Sequence, residues 1–340
     1  MLDHPVSSLG TCWTPEGTFL VTVLIGNIVG MTIRIAVLGA GGVGGYFGGR
    51  LAAAGHEVTF VARGEHLAAL RRDGLAVESV GGDFTVAPVR ATDDTGEVGE
   101  VDYVLLGVKT WQLEPAIASL KPLIGPDTAV ITTQNGVEAP HQVAAAIGRE
   151  AVLPGAVEVI AFLDGPGRVR QIGGGGKLTF AEWDNRRTAR VEQLRDALQG
   201  SGLIGSVAPD IWAALWSKFL ALGSVGAIAT LAGAPYGVLR TRPGTRQLIL
   251  DSMTEIQQVA KASGINLPID AVATTMAFLD SLPEAGTTSL QRDINAGRPS
   301  ELEAWTGAVV RIGRQTGTPT PLNDVLYELA SARSQVIHGG

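Results

Sequence analysis

The spacing of apolar positions changes along the chain. From residue 33, short apolar runs alternate with stretches of helical period. "IRIAVLGA" (33–40), "EVTFVAR" (57–63), "VDYVLLGVKT" (101–110) and "TAVITTQNG" (128–136) read as strands. Helices are expected over "YFGGRLAAAGH", closed by Gly55, and around "LEPAIASLKPLI"; "HLAALRRDGLAVES" reads as a helix followed by a turn. A strand buried on both faces needs no polar alternation, so such runs between helices predict a parallel sheet covered on both sides. Near residue 151 the pattern changes: "AVLPGAVEVIAFLDGPGRVRQIGGGGKLTFAEW" has strand-like runs separated by "DGPG" and "GGGG", as antiparallel strands at the edge of the sheet would. A helix follows at about 186–200, and the remainder is helical. "IWAALWSKFLALGSVGAIATLAG" (211–233) predicts a long buried helix, bent or broken near its glycines. Helical patterns recur at 244–264, 269–281, 299–317 and 321–337.

The first strand runs into "GAGGVGGYFGGR", where glycines enter the predicted helix. Each glycine inside a helix costs about 0.8–1 kcal/mol relative to Ala, so the run needs a reason. Gly39, Gly41 and Gly44 form G-x-G-x-x-G between a strand and a helix. The first glycine allows the tight turn, the second lets a pyrophosphate approach the backbone, and the third lets helix and strand pack closely. The loop Gly39, Ala40, Gly41, Gly42, Val43, Gly44 is therefore the candidate phosphate cradle, at a helix N-terminus whose free N–H groups attract anions. Gly48, one turn after Gly44, extends the close contact. The fold class expected is α/β: a Rossmann-type parallel sheet with antiparallel edge strands over residues 31–204, and an all-helical domain over 205–340.

Composition narrows the chemistry. The chain has 340 residues, is 45% hydrophobic and 17% charged, and carries a net charge of −7, which argues against nucleic acid or an anionic membrane as partner. The one cysteine, Cys12, precedes the fold, so residues 31–340 offer no disulfide, cysteine zinc site or thiol nucleophile. The five histidines are scattered, and no metal site is expected. Residues 1–30 contain a 13-residue apolar run, "TFLVTVLIGNIVG", too short to span a bilayer and preceded by no Lys or Arg. They are expected to be a leader outside the fold, with Met31 as the natural start.

The second strand ends at Arg63, 19 residues past Gly44, where an NAD site would carry an acid for the ribose 2′-OH. Arginine suits a 2′-phosphate instead, so the expected cofactor is NADPH, although a solvated surface arginine would read the same way. Lys109 and Asn135 lie at the carboxyl ends of two other strands, where such sheets bind ligands. Taken alone, Lys109 also reads as a loop lysine and Asn135–Gly136 as a turn pair.

"VLGAGGVGGYFGGRLAAAGHEVTFVAR", "VKTWQL", "TQNGVE", "LWSKF", "TSLQRDINAGRPSELEA" and "GTPTPLNDVLYELA" together resemble the ketopantoate reductase family, the NADPH-dependent 2-dehydropantoate 2-reductases, over about residues 33–335. The resemblance implies NADPH-dependent reduction of a 2-oxo acid, foremost ketopantoate to (R)-pantoate in pantothenate and coenzyme A biosynthesis. It implies a cytoplasmic enzyme, with a homodimer as one candidate assembly. It places the catalytic lysine at Lys218, the family's acid at Glu301 and a substrate-binding serine at Ser289. Asn135 falls to both cofactor and substrate, and Lys109 to the cofactor side. The same glutamate also reads as a helix N-terminal cap after "GRP". Three positions depart from the family pattern, which has Asn where this chain has Leu222, Gly286 and Thr306. That leaves open a paralogue acting on another 2-oxo acid or imine. A non-catalytic NADP(H)-responsive binding protein is the alternative from another class, but it would need only the glycine loop.

Overall fold

The computed structural model describes residues 32–339, with side chains to Ile337; the expectation for residues 1–30 lies outside them. Along the chain the elements are β1 (Arg34–Leu38), α1 (Gly42–Ala53), β2 (Glu57–Val61), α2 (Gly64–Asp73), β3 (Leu75–Ser79), β4 (Phe84–Val86), β5 (Arg90–Thr92), β6 (Tyr103–Leu106), α3 (Leu113–Ala118), β7 (Ala129–Thr132), α4 (Ala139–Ile147), β8 (Val152–Leu153), β9 (Gly155–Leu163), β10 (Arg168–Phe180), α5 (Ala189–Gly200) and β11 (Ile204–Val207). The helical part holds α6 (Ile211–Ala232), α7 (Tyr236–Thr241), α8 (Pro243–Ala262), α9 (Ala271–Ser281), α10 (Ser289–Asn295), α11 (Thr306–Thr316) and α12 (Pro321–Gly339).

Six strands form a parallel sheet in the order β5-β2-β1-β6-β7-β8. Side chains alternate between two cores across it. Ile35, Val37 and Leu105 point to one, and Ala36, Leu38, Val104 and Leu106 to the other. Both faces are dry, which is why these strands lack polar alternation.

The antiparallel pair foreseen after residue 151 is present, but it belongs to a second sheet and not to the edge of the first. β9 pairs antiparallel with β10, and that sheet runs β11-β10-β3-β4. "DGPG" turns the hairpin, whereas "GGGG" separates nothing: it is an irregularity inside β10, with Gly174, Gly175 and Gly176 at φ of 79°, 65° and 67°. Only glycine takes three such residues in a row at low cost, so the run interrupts the ladder without ending the strand. "LAVES", expected as a turn, is strand β3 because β10 supplies it with a parallel partner. β11 pairs with β10 as far as Val207, so the second sheet runs past residue 204.

The two sheets explain the glycines. Helix α1 lies between them and needs two flat faces. On one, a Cβ at Gly44 would overlap the Gly39 carbonyl oxygen, and one at Gly48 would lie 2.8 Å from both Phe60 and Val37 of the parallel sheet. On the other, Gly42 abuts the backbone at Ala161, Gly45 would meet Val169 at 2.7 Å, and Gly49 would meet Leu75 at 3.0 Å, all in the second sheet. Gly39 turns the chain at φ 91°, against Gly107 and Val108 at the end of β6.

In the helical part α6 is the central rod, packed against α8, α9, α10, α11 and α12. It is one continuous helix, not broken at its glycines: Gly223 receives Ile256, and Gly226 receives Trp305 and Leu290. It is long and apolar enough to cross a membrane by length and composition, yet 67% of its most apolar window is buried inside the protein. Its start is set by Asp210, whose carboxylate accepts from the N–H groups of Trp212 and Ala213. Its end is set by Gly233 in the left-handed conformation.

Gly44→Ala tests the sandwich. The gain in helix propensity is about 1 kcal/mol, but the added methyl meets backbone that cannot rotate away, and overpacking of that kind costs about 1–3 kcal/mol or more. The expected outcome in denaturant melts is a lower midpoint at unchanged m-value; equal or higher stability would show the contact to be slack.

Candidate active site

Four of the expected residues meet: Lys109 after β6, Asn135 after β7, Lys218 on α6 and Glu301 in the turn before α11. At the end of β7, Thr133 Oγ1 donates to the Leu106 carbonyl at 2.5 Å, and Gln134 Nε2 donates to the carbonyls of Leu106 and Val108 at 2.8 and 2.9 Å. These bonds tie the end of β7 to the end of β6, and so place Asn135 beside Lys109. Gly136, at φ 99°, passes the Ala304 carbonyl so closely that a Cβ would lie 2.7 Å from it.

Lys218 reaches off α6 to this point. Its Nζ donates to Asn135 Oδ1 at 2.9 Å and to the Val157 carbonyl of β9 at 2.7 Å. Asn135 Nδ2 donates in turn to Glu301 Oε2 at 3.0 Å. An ammonium only donates and a carboxylate only accepts, so the amide orientation is fixed by chemistry. Lys109 Nζ lies 3.8 Å from the same Glu301 oxygen and over the ring of Trp111. Burial pulls the Lys218 ammonium down to about 8, partly opposed by the negative charges of Glu301 and Glu158. An ammonium has three donors, and two are used by neutral oxygens. The third has no acceptor among the described residues.

Glu301 is 4% exposed and does not cap a helix. Its backbone carbonyl accepts from the N–H groups of Ala304 and Trp305 in a turn, and α11 begins only at Thr306. The expected helix start at 299 is displaced because this turn places the carboxylate at Asn135. Ser289, first residue of α10, is half-buried and makes no hydrogen bond to Lys218, Asn135, Glu301 or Lys109. The adjacent Leu290 packs on Gly226 of α6.

The glycine loop offers what an anion requires. No side chain caps α1 and its first turn has no acid. A Cβ at Gly41 would meet nothing within 4 Å, so the backbone there faces open space. The N–H groups of Gly42, Val43 and Gly44 lie in that first turn. Arg63 is the exposed N-cap residue of α2, at the tip of β2, and its guanidinium makes no hydrogen bond or ion pair among the described residues.

Three contributors were not legible in the sequence. The Val157 carbonyl belongs to a strand in the other sheet. His66 Nε2 bonds the Ala40 carbonyl at 2.8 Å while its Nδ1 accepts from Gly167 N–H at 2.9 Å, which sets the Nε2–H tautomer and ties the glycine loop to the hairpin. Arg311 bridges Glu138 at 2.7 Å and Glu303 at 3.0 Å, holding the turn that carries Glu301 to the start of α4.

The family model described as Ketopantoate reductase PanE/ApbA matches residues 35–185, and its C-terminal companion matches 210–334. A 2-dehydropantoate 2-reductase of Mesorhizobium japonicum is 32% identical over 318 residues, covering 87% of this chain and 96% of that one. A PanE/ApbA family ketopantoate reductase from Ralstonia eutropha superposes with a TM-score of 0.82 at 31% identity, over 90% of this chain and 99% of the other. A D-mandelate dehydrogenase solved with NADH and anilino(oxo)acetate superposes with a TM-score of 0.81 at 26% identity, over 90% and 99%. The fold and site define an α/β oxidoreductase with a helical second part. The chain belongs to the ketopantoate reductase family, whose members act on a CH–OH group.

Glu301→Gln tests the electrostatics without assuming a reaction. The Glu301 charge raises the Lys218 pKa, so its removal lowers that value below about 8. A titration of the lysine ammonium by NMR should show this downward displacement; an unchanged value would mean Glu301 is not felt at Lys218.

Proposed function

We propose that this protein reduces the ketone of a 2-oxo acid with NADPH, with Lys218 as the general acid. The reference reaction, taken from the names of its relatives, is ketopantoate to (R)-pantoate. NADPH, when bound, supplies the hydride. The observation that carries the reading is the enclosed Lys218 ammonium, fixed by Asn135 and Val157 with one N–H left over. As the carbonyl carbon is reduced, negative charge gathers on its oxygen. A positioned ammonium stabilises that charge and delivers the proton, so that C=O becomes CH–OH. A pKa of about 8 keeps the lysine protonated at neutral pH yet able to release its proton.

Asn135 and Glu301 orient the lysine. Ser289 remains for the substrate carboxylate and Lys109 for the cofactor side. In this reading the α/β part, expected over residues 31–204, binds the dinucleotide along Gly39–Gly44, and the helical part over 205–340 binds the acid. Arg63 supports NADPH over NADH because its exposed guanidinium has no protein partner and suits a 2′-phosphate. A non-catalytic dinucleotide sensor would need the glycine loop alone and leaves the Lys218–Asn135–Glu301 chain without a purpose.

Lys218→Ala should lower the hydride-transfer rate by about 10²–10⁴-fold, measured in single-turnover NADPH oxidation, with NADPH affinity nearly unchanged. The wild-type rate should fall as pH rises through about 8, where the ammonium is lost, and the Ala variant should lose that dependence. A folded variant that keeps most of its rate would remove Lys218 from the chemistry. Arg63→Ala should raise the KM for NADPH far more than that for NADH; equal losses would assign Arg63 to something both cofactors share.

A further inference from the structure

One turn beyond Lys218, the same face of α6 turns apolar. Leu222 lies one turn after Lys218 on the same face and is half-buried. Val225 and Ala229 carry the same face on into the core, buried and apolar. The two hydroxyls further along α6 are used by its own backbone: Ser224 Oγ donates to the Leu220 carbonyl at 2.5 Å and Thr230 Oγ1 to the Gly226 carbonyl at 2.9 Å. The walls beside this stripe are mostly carbon, with one buried polar atom, Trp305 Nε1, that has no partner among the described residues. A Cβ at Gly226 would lie 2.7 Å from the Trp305 ring and 3.0 Å from Leu290, the residue after Ser289. Three residues before Ser289, the Tyr236 ring occupies the space into which a side chain at Gly286 would point, 2.8 Å from its Cβ position. Gln291 and Thr306 each keep an unpartnered oxygen, but at 4% and 0% exposure both are closed to the cleft.

A 2-oxo acid presents three parts to this site: a carboxylate, the ketone and the group attached to the keto carbon. The first two meet Lys218 and the polar residues around it. The third extends along α6, over Leu222. We infer that the substrate's side chain is apolar, branched aliphatic or aromatic and without a hydroxyl, and that Leu222 is a specificity-determining residue. This rests on the 2-oxo acid reading above and narrows it. The physical reason is desolvation: a substrate hydroxyl laid on Leu222 loses its water and finds no partner. An apolar pocket rejects an analogue with an added hydroxyl by about 10²-fold at most, so the preference is real but bounded. It is consistent with a protein of the same fold that holds anilino(oxo)acetate, an oxo acid bearing an aromatic group.

The test uses two acids that differ by one hydroxyl, trimethylpyruvate and ketopantoate, its hydroxylated counterpart, each assayed for NADPH oxidation by the full chain. The expected result is a kcat/KM about 10–100-fold higher for trimethylpyruvate. Leu222→Asn supplies a donor and an acceptor at the same place and should shrink that ratio by about tenfold, through the loss on one acid and the gain on the other. The wild-type ratio needs no variant and stands even if Leu222→Asn folds poorly. A wild-type preference for ketopantoate would overturn this inference while leaving 2-oxo acid reduction intact, as would a folded Leu222→Asn enzyme with the wild-type ratio. No turnover of either acid, with NADPH or NADH, would overturn the underlying reading and this inference with it.

Discussion

One ammonium joins the three parts of this molecule. Lys218 comes from the central helix of the helical region, Asn135 from the end of the parallel sheet, and Val157 from the hairpin of the second sheet. Taking a lysine out of water is costly, and here the two groups that receive its protons are neutral oxygens. The compensating charges act from farther away: Glu301 through Asn135, and Glu158 from the hairpin. The balance is incomplete, which is why the lysine lies well below its ordinary range. Incomplete compensation is what an acid catalyst needs, because a fully paired ammonium would hold its proton too firmly. Each partner must therefore arrive in place for the lysine to be usable, and much of the surrounding structure serves that end. Gln134 and Thr133 pin the loop before Asn135, and Arg311 anchors the turn that bears Glu301.

The second sheet matters as much as the dinucleotide sheet. It provides the Val157 carbonyl, and it presses α1 from behind through Gly42, Gly45 and Gly49. The glycine-rich helix is thus a spacer of minimum thickness between two layers. The cost in helix propensity is offset by the close approach of both sheets and by the packing of buried residues such as Phe47 and Tyr46 on the same helix. His66 completes the link, since one ring nitrogen holds the glycine loop and the other the hairpin turn. Burial lowers its pKa, so the ring stays neutral near pH 7 and keeps the tautomer that both bonds require.

Along α6 polarity is concentrated at a single point of the cleft face. Ser224 and Thr230 spend their hydroxyls on the helix's own carbonyls, and the helix meets its neighbours through Gly223 and Gly226. Such a helix can deliver a charge to the ketone while offering only apolar surface to whatever the ketone is attached to. In the proposed reading, reaction type and substrate choice rest on different residues a turn apart, so that one can be kept while the other changes.

Lys218 and Glu301 were marked by family resemblance, and Asn135 and Lys109 by resemblance and by their places at strand ends, whereas the sequence by itself determined the strand–glycine–helix start, the parallel sheet and the extent of most helices. Those features are local or periodic: a buried strand, a G-x-G-x-x-G turn and a helix cap each write themselves into neighbouring positions. Only the tertiary structure decided that "LAVES" is a strand, that "GGGG" lies inside one, that α6 is unbroken, and that Glu301 sits in a turn and reaches Lys218 by way of Asn135. Each of these depends on a partner far along the chain: β10 for β3, Trp305 and Leu290 for Gly226, and Asn135, 166 positions away, for Glu301. A residue's neighbours in sequence carry its backbone preference, but whether a strand finds an edge, a glycine a packing partner or a carboxylate a donor is settled only when distant segments meet.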